Sequence, residues 1–408
     1  MVGTLVTLDF NDPSVLADPY PAYARLRDVP GLVQAEGLGW LVSRHAPITA
    51  LLHDQRLASG PLNTALYAGL PEAAQVEIEP FRLGMSRNML LQDAPDHTRL
   101  RRLVSQAFTP RRVAALRGAI EKITDGLLAG HEAGEPFDVI RDLAYPLPSR
   151  VIAEMLGVPW DDLNDLKRWN DAGAAFLGSA RTTTDPVGLA HRTAESHVAI
   201  MAYFERLVAQ HRASPGDDLI CDLIAIEEQG ERLTEEELLS TCGLLLAAGH
   251  ETTTNLIGNG LLAMLRHPEQ LDLWSQEPAV APYAVEELLR FDSPIQFLYR
   301  VAVAEVQVDG ETIQPGDLVT LLLGSANHDA AVFPDPDRLD LRRRPRGYLS
   351  FGTGPHVCLG AFLARLEGEI VLSRLIGRFP GLTLRDDEPL TWSTNPIFRG
   401  LERLPVML

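Results

Sequence analysis

The chain has 408 residues, 46% of them hydrophobic, which is enough apolar material for a large core. Its net charge is −19, from 36 Lys and Arg against 55 Asp and Glu, and such acidity argues against general binding to nucleic acid or to an anionic membrane. The three cysteines, Cys221, Cys242 and Cys358, are far apart and odd in number, which disfavours a disulfide framework and leaves no C-x-x-C pair.

In chain order, residues 1–10 lack both a basic stretch and a long apolar run, so neither a signal peptide nor an anchor is expected. Asp18-Pro19-Tyr20-Pro21 opens a helix to about Arg27. Residues 31–34 and 39–43 read as a hairpin, and residues 46–53 as helix. Residues 60–91 show no clear period and are expected to form a long loop with one short helix. A helix begins near Asp93 and ends before Thr109-Pro110, and helices dominate residues 111–211, broken at 178–186. Residues 213–218 read as a surface loop.

Thr234 and Glu237 form a capping box for an unusually long helix that Pro268 stops. Its apolar part, residues 242–265, is interrupted by His250, Glu251, Asn255 and Asn259, which suits a buried helix rather than a membrane span. A further helix covers residues 281–291, and strand-like pieces at 301–308 and 318–323 carry turns at Asp309-Gly310 and Pro315-Gly316. Residues 334–345 are irregular and lead into Phe351-Gly352-Thr353-Gly354-Pro355-His356-Val357-Cys358-Leu359-Gly360. A helical pattern follows over 361–376 and stops at Pro380. The expected architecture is mainly α with small antiparallel β-sheets, in one domain spanning residues 1–408.

Cys358 therefore stands in a glycine-rich loop at a helix N-terminus, where free N–H groups and the helix dipole favour a thiolate. A single thiolate suits a haem iron. The competing reading is a small buried hydrophobe. On the long helix, Gly249 predicts a local distortion. Leu244, Ala248 and Thr252, four apart, share one face, and the small Ala248 leaves room over a flat cofactor. Glu287 and Arg290, three apart, form a pair that on a solvated face contributes only ~0.3–0.5 kcal/mol. Arg99, Arg102, Arg111, Arg112 and Arg117 make a basic cluster in an acidic chain, either a solvated face or a docking patch.

Phe351, Gly352, Gly354, His356, Cys358 and Gly360 fill every fixed position of F-G-x-G-x-H-x-C-x-G, the signature of cytochrome P450, which this chain resembles over essentially its whole length. Tyr348 and Ser350 stand where His and Ala are common in bacterial members. The resemblance implies the triangular cytochrome P450 fold and haem b (heme b, iron protoporphyrin IX), with Cys358 as the metal ligand. Phe351, Gly352, Gly360 and Ala248 would contact the haem, and His97, Arg101, Arg300 and His356 its propionates. Thr252 would face the bound oxygen, with Glu251 feeding protons to it. Glu287, Arg290 and Arg338 would form a buried structural group, whose disruption costs about 3–5 kcal/mol. The implied substrate pocket is Met89, Leu90, Phe176, Leu244, Ala248, Ile295, Phe297, Ile397 and Phe398, mostly apolar.

The implied activity is a monooxygenase that inserts one atom of O2 into a hydrophobic small molecule, in secondary metabolism of the polyketide, macrolide, terpenoid or fatty-acid kind. With no flavin or iron–sulfur segment, the electrons would come from a separate ferredoxin and ferredoxin reductase, drawn to the arginine cluster. A cytoplasmic monomer is expected, with no nucleic-acid or membrane partner. The alternatives are a peroxide-driven haem-thiolate enzyme, a non-enzymatic haem sensor or carrier, and a non-haem protein with Cys358 in its core.

Overall fold

The computed structural model describes residues 8–10, 12–179, 183–228, 230–385 and 387–408. Helices take 57% of the chain and the sheets are small. The chain divides into two compact units. The first takes residues up to Leu57, Arg117–Pro148 and Glu251–Leu408, and the second takes Ala58–Leu116 and Ser149–His250.

In the first unit, the main sheet pairs Val33–Ala35 antiparallel with Gly39–Val42. Leu318–Leu321 lies parallel to Gly39–Val42 and antiparallel to Leu298–Ala302. Successive side chains on a strand point to opposite faces, and the consequence is visible at Leu41 and Val42. Leu41 joins a core with Tyr23, Phe297 and Leu322. Val42 joins another with Ile48, Val319 and Leu321. Apolar clusters cover both faces of the sheet. A second sheet pairs Pro405–Met407 with Thr383–Leu384 and with Pro136–Asp138, all antiparallel.

In the second unit, Glu72–Met85 is a 14-residue helix, where the sequence pattern predicted mostly loop. Its buried residues Ala74, Ile78 and Phe81 keep helical spacing, but the apolar stripe is diluted by exposed Val76 and Leu83 and broken by Pro80. The helix packs against Pro186–Ala213. Gly84 lies so close to His197 that a Cβ there would fall 2.0 Å from its Nε2. The predicted break at 178–186 matches the end of helix Leu163–Ser179 and the start of the next at Pro186, capped by Asp185. Residues 180–182 of that interval lie outside the described residues.

The long helix is Glu235–Leu265, 31 residues. Its capping box is fully formed: the Thr234 N–H donates to Glu237 Oε2 at 2.9 Å, and the Glu237 N–H donates to Thr234 Oγ1 at 3.2 Å. Helix runs unbroken through Gly249, without the distortion expected from its propensity. The glycine serves packing instead: a Cβ on it would press on Ile152 at 3.1 Å.

Candidate active site

The cysteine loop is built by constraint from behind. Gly352 and Gly354 have φ of 63° and 75°, a region costly for residues with a Cβ. At Gly354 a Cβ would also strike the Leu52 carbonyl oxygen at 2.6 Å. The Cys358 N–H donates to the Phe351 carbonyl at 2.9 Å, closing the loop on itself. Gly360 caps helix Ala361–Arg378, and a Cβ on it would come within 4.0 Å of Cys358 Sγ. The Arg365 guanidinium lies over the Phe351 ring at 4.4 Å, a cation–π contact. Arg365 also donates to Glu286 at 2.6 Å and to the Tyr348 hydroxyl at 2.8 Å.

Tyr348 and Ser350 thus have defined work in this chain. The Ser350 hydroxyl donates to the Leu289 carbonyl at 2.7 Å and accepts from Asn327 Nδ2 at 2.9 Å. Asn327 Oδ1 accepts the Leu349 N–H at 2.6 Å, and Ser293 Oγ stands 2.9 Å from Ser350 Oγ. These buried hydroxyls and the amide fix the strand of chain that enters the cysteine loop. Ser350 stands out in the sequence only as a departure from the family pattern, and Ser293 and Asn327 carry no periodic signal.

Behind this layer, Glu287 and Arg290 are fully buried and bidentate, both contacts 2.8 Å. The third partner is Arg343, whose Nε donates to Glu287 Oε1 at 3.0 Å. This corrects the expectation for Arg338. Its side chain is exposed, and the network uses its main-chain carbonyl, which accepts from Arg343 at 3.3 Å. The irregular segment turns the Arg338 side chain outward and brings that of Arg343 back. Arg290 also donates to the carbonyls of Asn327 and Pro336, at 2.9 and 2.8 Å. The ion pair therefore holds the irregular segment and the serine–asparagine layer together.

The front of the loop is open. No residue from Phe351 to Gly360 is buried, although Ser350 and Ala361 on either side are, and Cys358 itself is exposed. A second open feature lies on the long helix. Residues 253–264 are all buried, whereas Leu244 and Thr252 are half-buried and Ala248 is exposed. None of the three residues of the stripe predicted from spacing is fully buried, and their neighbours Gly243, Ala247, Gly249 and Glu251 are half-buried as well. His250 is off the stripe, buried, with its Nδ1 3.1 Å from the Leu246 carbonyl oxygen. Burial pushes its pKa down. An exposed thiol with glycine backbone beside it suits a flat, iron-bearing ring.

The other predicted residues fall as follows. His97 is buried and Arg101 half-buried on helix Asp96–Ala107. Arg300 is buried on its strand, donating to the Tyr299 carbonyl at 2.7 Å, and His356 is half-buried in the loop. Of the pocket set, Ile295, Ile397 and Phe398 are half-buried, Met89 is buried and Leu90 is exposed. Phe176 is enclosed by the rings of Tyr67 and Phe81, at 5.5 and 5.8 Å. Phe297 is fully buried beside Phe10 and Tyr299, each 5.3 Å away.

The arginine cluster is largely neutralised. Arg99 pairs with Glu237, Arg102 with Glu231, Arg112 with Asp222, and Arg117 with Glu369. Among the described residues, Arg111 alone of the five has no carboxylate partner, and it is exposed.

A family model described as cytochrome P450 matches residues 75–401, and the chain belongs to this family. It is similar to the vitamin D(3) 25-hydroxylase of Pseudonocardia autotrophica, 41% identical over 397 residues, covering 96% of this chain and 94% of the relative. It is 38% identical to the 6-deoxyerythronolide B hydroxylase of Saccharopolyspora erythraea, over 98% of each chain. Among solved structures, P450BioI in complex with an acyl carrier protein ligated to hexadec-9Z-enoic acid superposes with a TM-score of 0.89. That match has 38% identity and covers 97% of this chain and 99% of the other. The protein is a cytochrome P450 monooxygenase, an oxidoreductase with haem iron that draws electrons from redox partners and takes a hydrophobic substrate. No helix among the described residues is long and apolar enough to cross a membrane.

Proposed function

We propose that Cys358 is the thiolate that would hold the iron of haem b in this enzyme. The observation that carries the reading is the exposed Cys358 in a ten-residue loop with no buried residue, braced from behind by buried layers. When bound, the haem supplies the redox chemistry that transfers one atom of O2 to the substrate. The Cys358 Sγ would hold the iron, Phe351, Gly352 and Gly360 would contact the ring, and the small Ala248 would leave room for it. His97, Arg101, Arg300 and His356 each supply a donor for a propionate. With haem bound, the Thr252 hydroxyl would hold a water for proton delivery, and Glu251, one residue before it, would resupply the proton.

Met89, Leu90, Phe176, Leu244, Ile295, Ile397 and Phe398 are apolar and suit a hydrophobic substrate of medium to large size. The substrates named for two relatives, vitamin D(3) and 6-deoxyerythronolide B, are of that kind. The reading is a tailoring hydroxylase or epoxidase of polyketide, macrolide, terpenoid or fatty-acyl compounds. It works as a cytoplasmic monomer with a separate ferredoxin and ferredoxin reductase. The pairing of four of the five arginines supports steering by Arg111 and by shape rather than by a broad basic patch.

Thr252→Ala tests the proton route. Substrate affinity and NADPH consumption should persist, while product per NADPH falls about 10²–10⁴-fold, the usual weight of a positioned proton donor. An unchanged ratio would remove Thr252 from the catalytic residues.

A further inference from the structure

Away from the haem site, in the second unit, three side chains with metal-binding atoms converge at one helix turn. They are His211, on the last turn of helix Pro186–Ala213, and Asp218 and Cys221, at the start of helix Leu219–Ala225. One ligand atom from each lies within 4.8 Å of the other two. Asp218 divides its oxygens. Oδ1 accepts the Cys221 N–H at 2.9 Å and so caps the short helix. Oδ2 faces the His211 Nε2 at 3.1 Å and the Cys221 Sγ at 3.5 Å. The side chains of His211 and Asp218 are only 11% and 10% exposed.

Three further features distinguish this cluster from a capping carboxylate with neighbours. The His211 Nδ1–H donates to the Leu207 carbonyl at 2.8 Å. That bond fixes the ring and, in the neutral imidazole, leaves Nε2 as a lone pair aimed at a carboxylate oxygen. Two acceptors 3.1 Å apart need a cation or proton between them. A metal-bound histidine has this same arrangement, its second nitrogen donating to a backbone carbonyl. The Cys221 Sγ in turn accepts the Gly216 N–H at 3.1 Å, which holds the sulfur beside Asp218. Gly157, with φ of 70°, passes directly over the pair. A Cβ there would stand 2.6 Å from His211 Nε2 and 3.1 Å from Asp218 Oδ2. The absence of a side chain leaves that volume clear.

We propose that His211, Asp218 and Cys221 form a zinc site that ties the end of helix Pro186–Ala213 to the start of helix Leu219–Ala225. Bonds of about 2.0–2.3 Å in a tetrahedron separate the ligand atoms by roughly 3.3–3.8 Å, close to the 3.1 and 3.5 Å from Asp218 Oδ2 to His211 Nε2 and Cys221 Sγ. One imidazole, one carboxylate and one thiolate make a donor set suited to zinc, with water in the fourth position. On binding, the Cys221 proton is released and the Asp218 Oδ1 cap is retained.

The test uses the haem-loaded protein, in which Cys358 is engaged, dialysed against zinc chloride. Zinc bound is measured by mass spectrometry of the metal, and carbamidomethylation of Cys221 by peptide mass spectrometry. The wild type should retain one zinc per chain, and zinc should slow Cys221 alkylation more than about 10-fold. His211→Ala, Cys221→Ser and Asp218→Asn should each weaken binding by at least about 100-fold, beyond the usual cost of losing an outer partner of a ligand. Asp218→Asn keeps the helix cap, since Asn caps as well as Asp, and so separates loss of the ligand from loss of the turn. Zinc retained equally by all three variants, or alkylation of Cys221 unaffected by zinc, would overturn the proposal and leave a plain His211–Asp218 ion pair.

Discussion

Replacing Glu287 by Gln probes the frame behind the cysteine loop most sharply. The carboxylate accepts from Arg290 twice, at 2.8 Å, from Arg343 at 3.0 Å and from the Asp340 N–H at 3.2 Å. Glutamine keeps the volume but removes the charge. Arg290, with no exposed surface, becomes a buried cation with no counter-ion, which costs about 3–5 kcal/mol. Arg343 is 16% exposed and can turn toward water, so it adds little to that figure. Folded chains hold about 5–15 kcal/mol in all, so the variant should lose a large part of its stability and retain haem poorly. Urea unfolding followed by far-UV circular dichroism, with the haem-to-protein absorbance ratio, reads both. Arg338→Ala is the control: its exposed side chain should cost under about 0.5 kcal/mol. A loss below about 1 kcal/mol for Glu287→Gln, or an equal loss for Arg338→Ala, would refute this description of the network.

Ser350→Ala should cost about 1–2 kcal/mol in the same assay, since it removes a buried hydroxyl that Asn327 and Leu289 both use. A neutral result would show that Ser293 and Asn327 hold the loop entry without it. His197 should contribute to acid sensitivity, because burial lowers its pKa from 6.5 to about 4. With the folded pKa below the unfolded one, the unfolded chain takes the proton first, and stability present above pH 6.5 is lost as pH falls toward 4. The loss should be about 1–2 kcal/mol after allowance for partial exposure, and His197→Phe should lack it; equal slopes for both proteins between those pH values would contradict this.

The helical frame was legible because its signals are local. Thr234 and Glu237 announced the long helix, and Pro268 its end, and the helix Ala281–Phe291 was read to the residue. The stripe Leu244–Ala248–Thr252 followed from spacing alone, and none of its three residues is fully buried. What failed depended on tertiary context. The apolar stripe of Glu72–Met85 is too diluted to read without its partner helix. Arg338 and Arg343 both lie in an irregular segment with no period to say which side chain turns inward. The arginine cluster looked like a patch because its partners Glu231, Glu237, Asp222 and Glu369 lie 110 or more residues away in sequence. The role of Ser350 needed Leu289, Ser293 and Asn327 brought to one point.

The central claim is that Cys358 holds the haem iron. The most direct measurement is the absorption spectrum of the dithionite-reduced, CO-bound protein, for the wild type beside Cys358→Ser, Cys221→Ser and Cys242→Ser. The wild type and the last two should give the strongly red-shifted band of a haem–thiolate, and Cys358→Ser should lose it. That band surviving in Cys358→Ser, or missing from the wild type, would contradict the assignment.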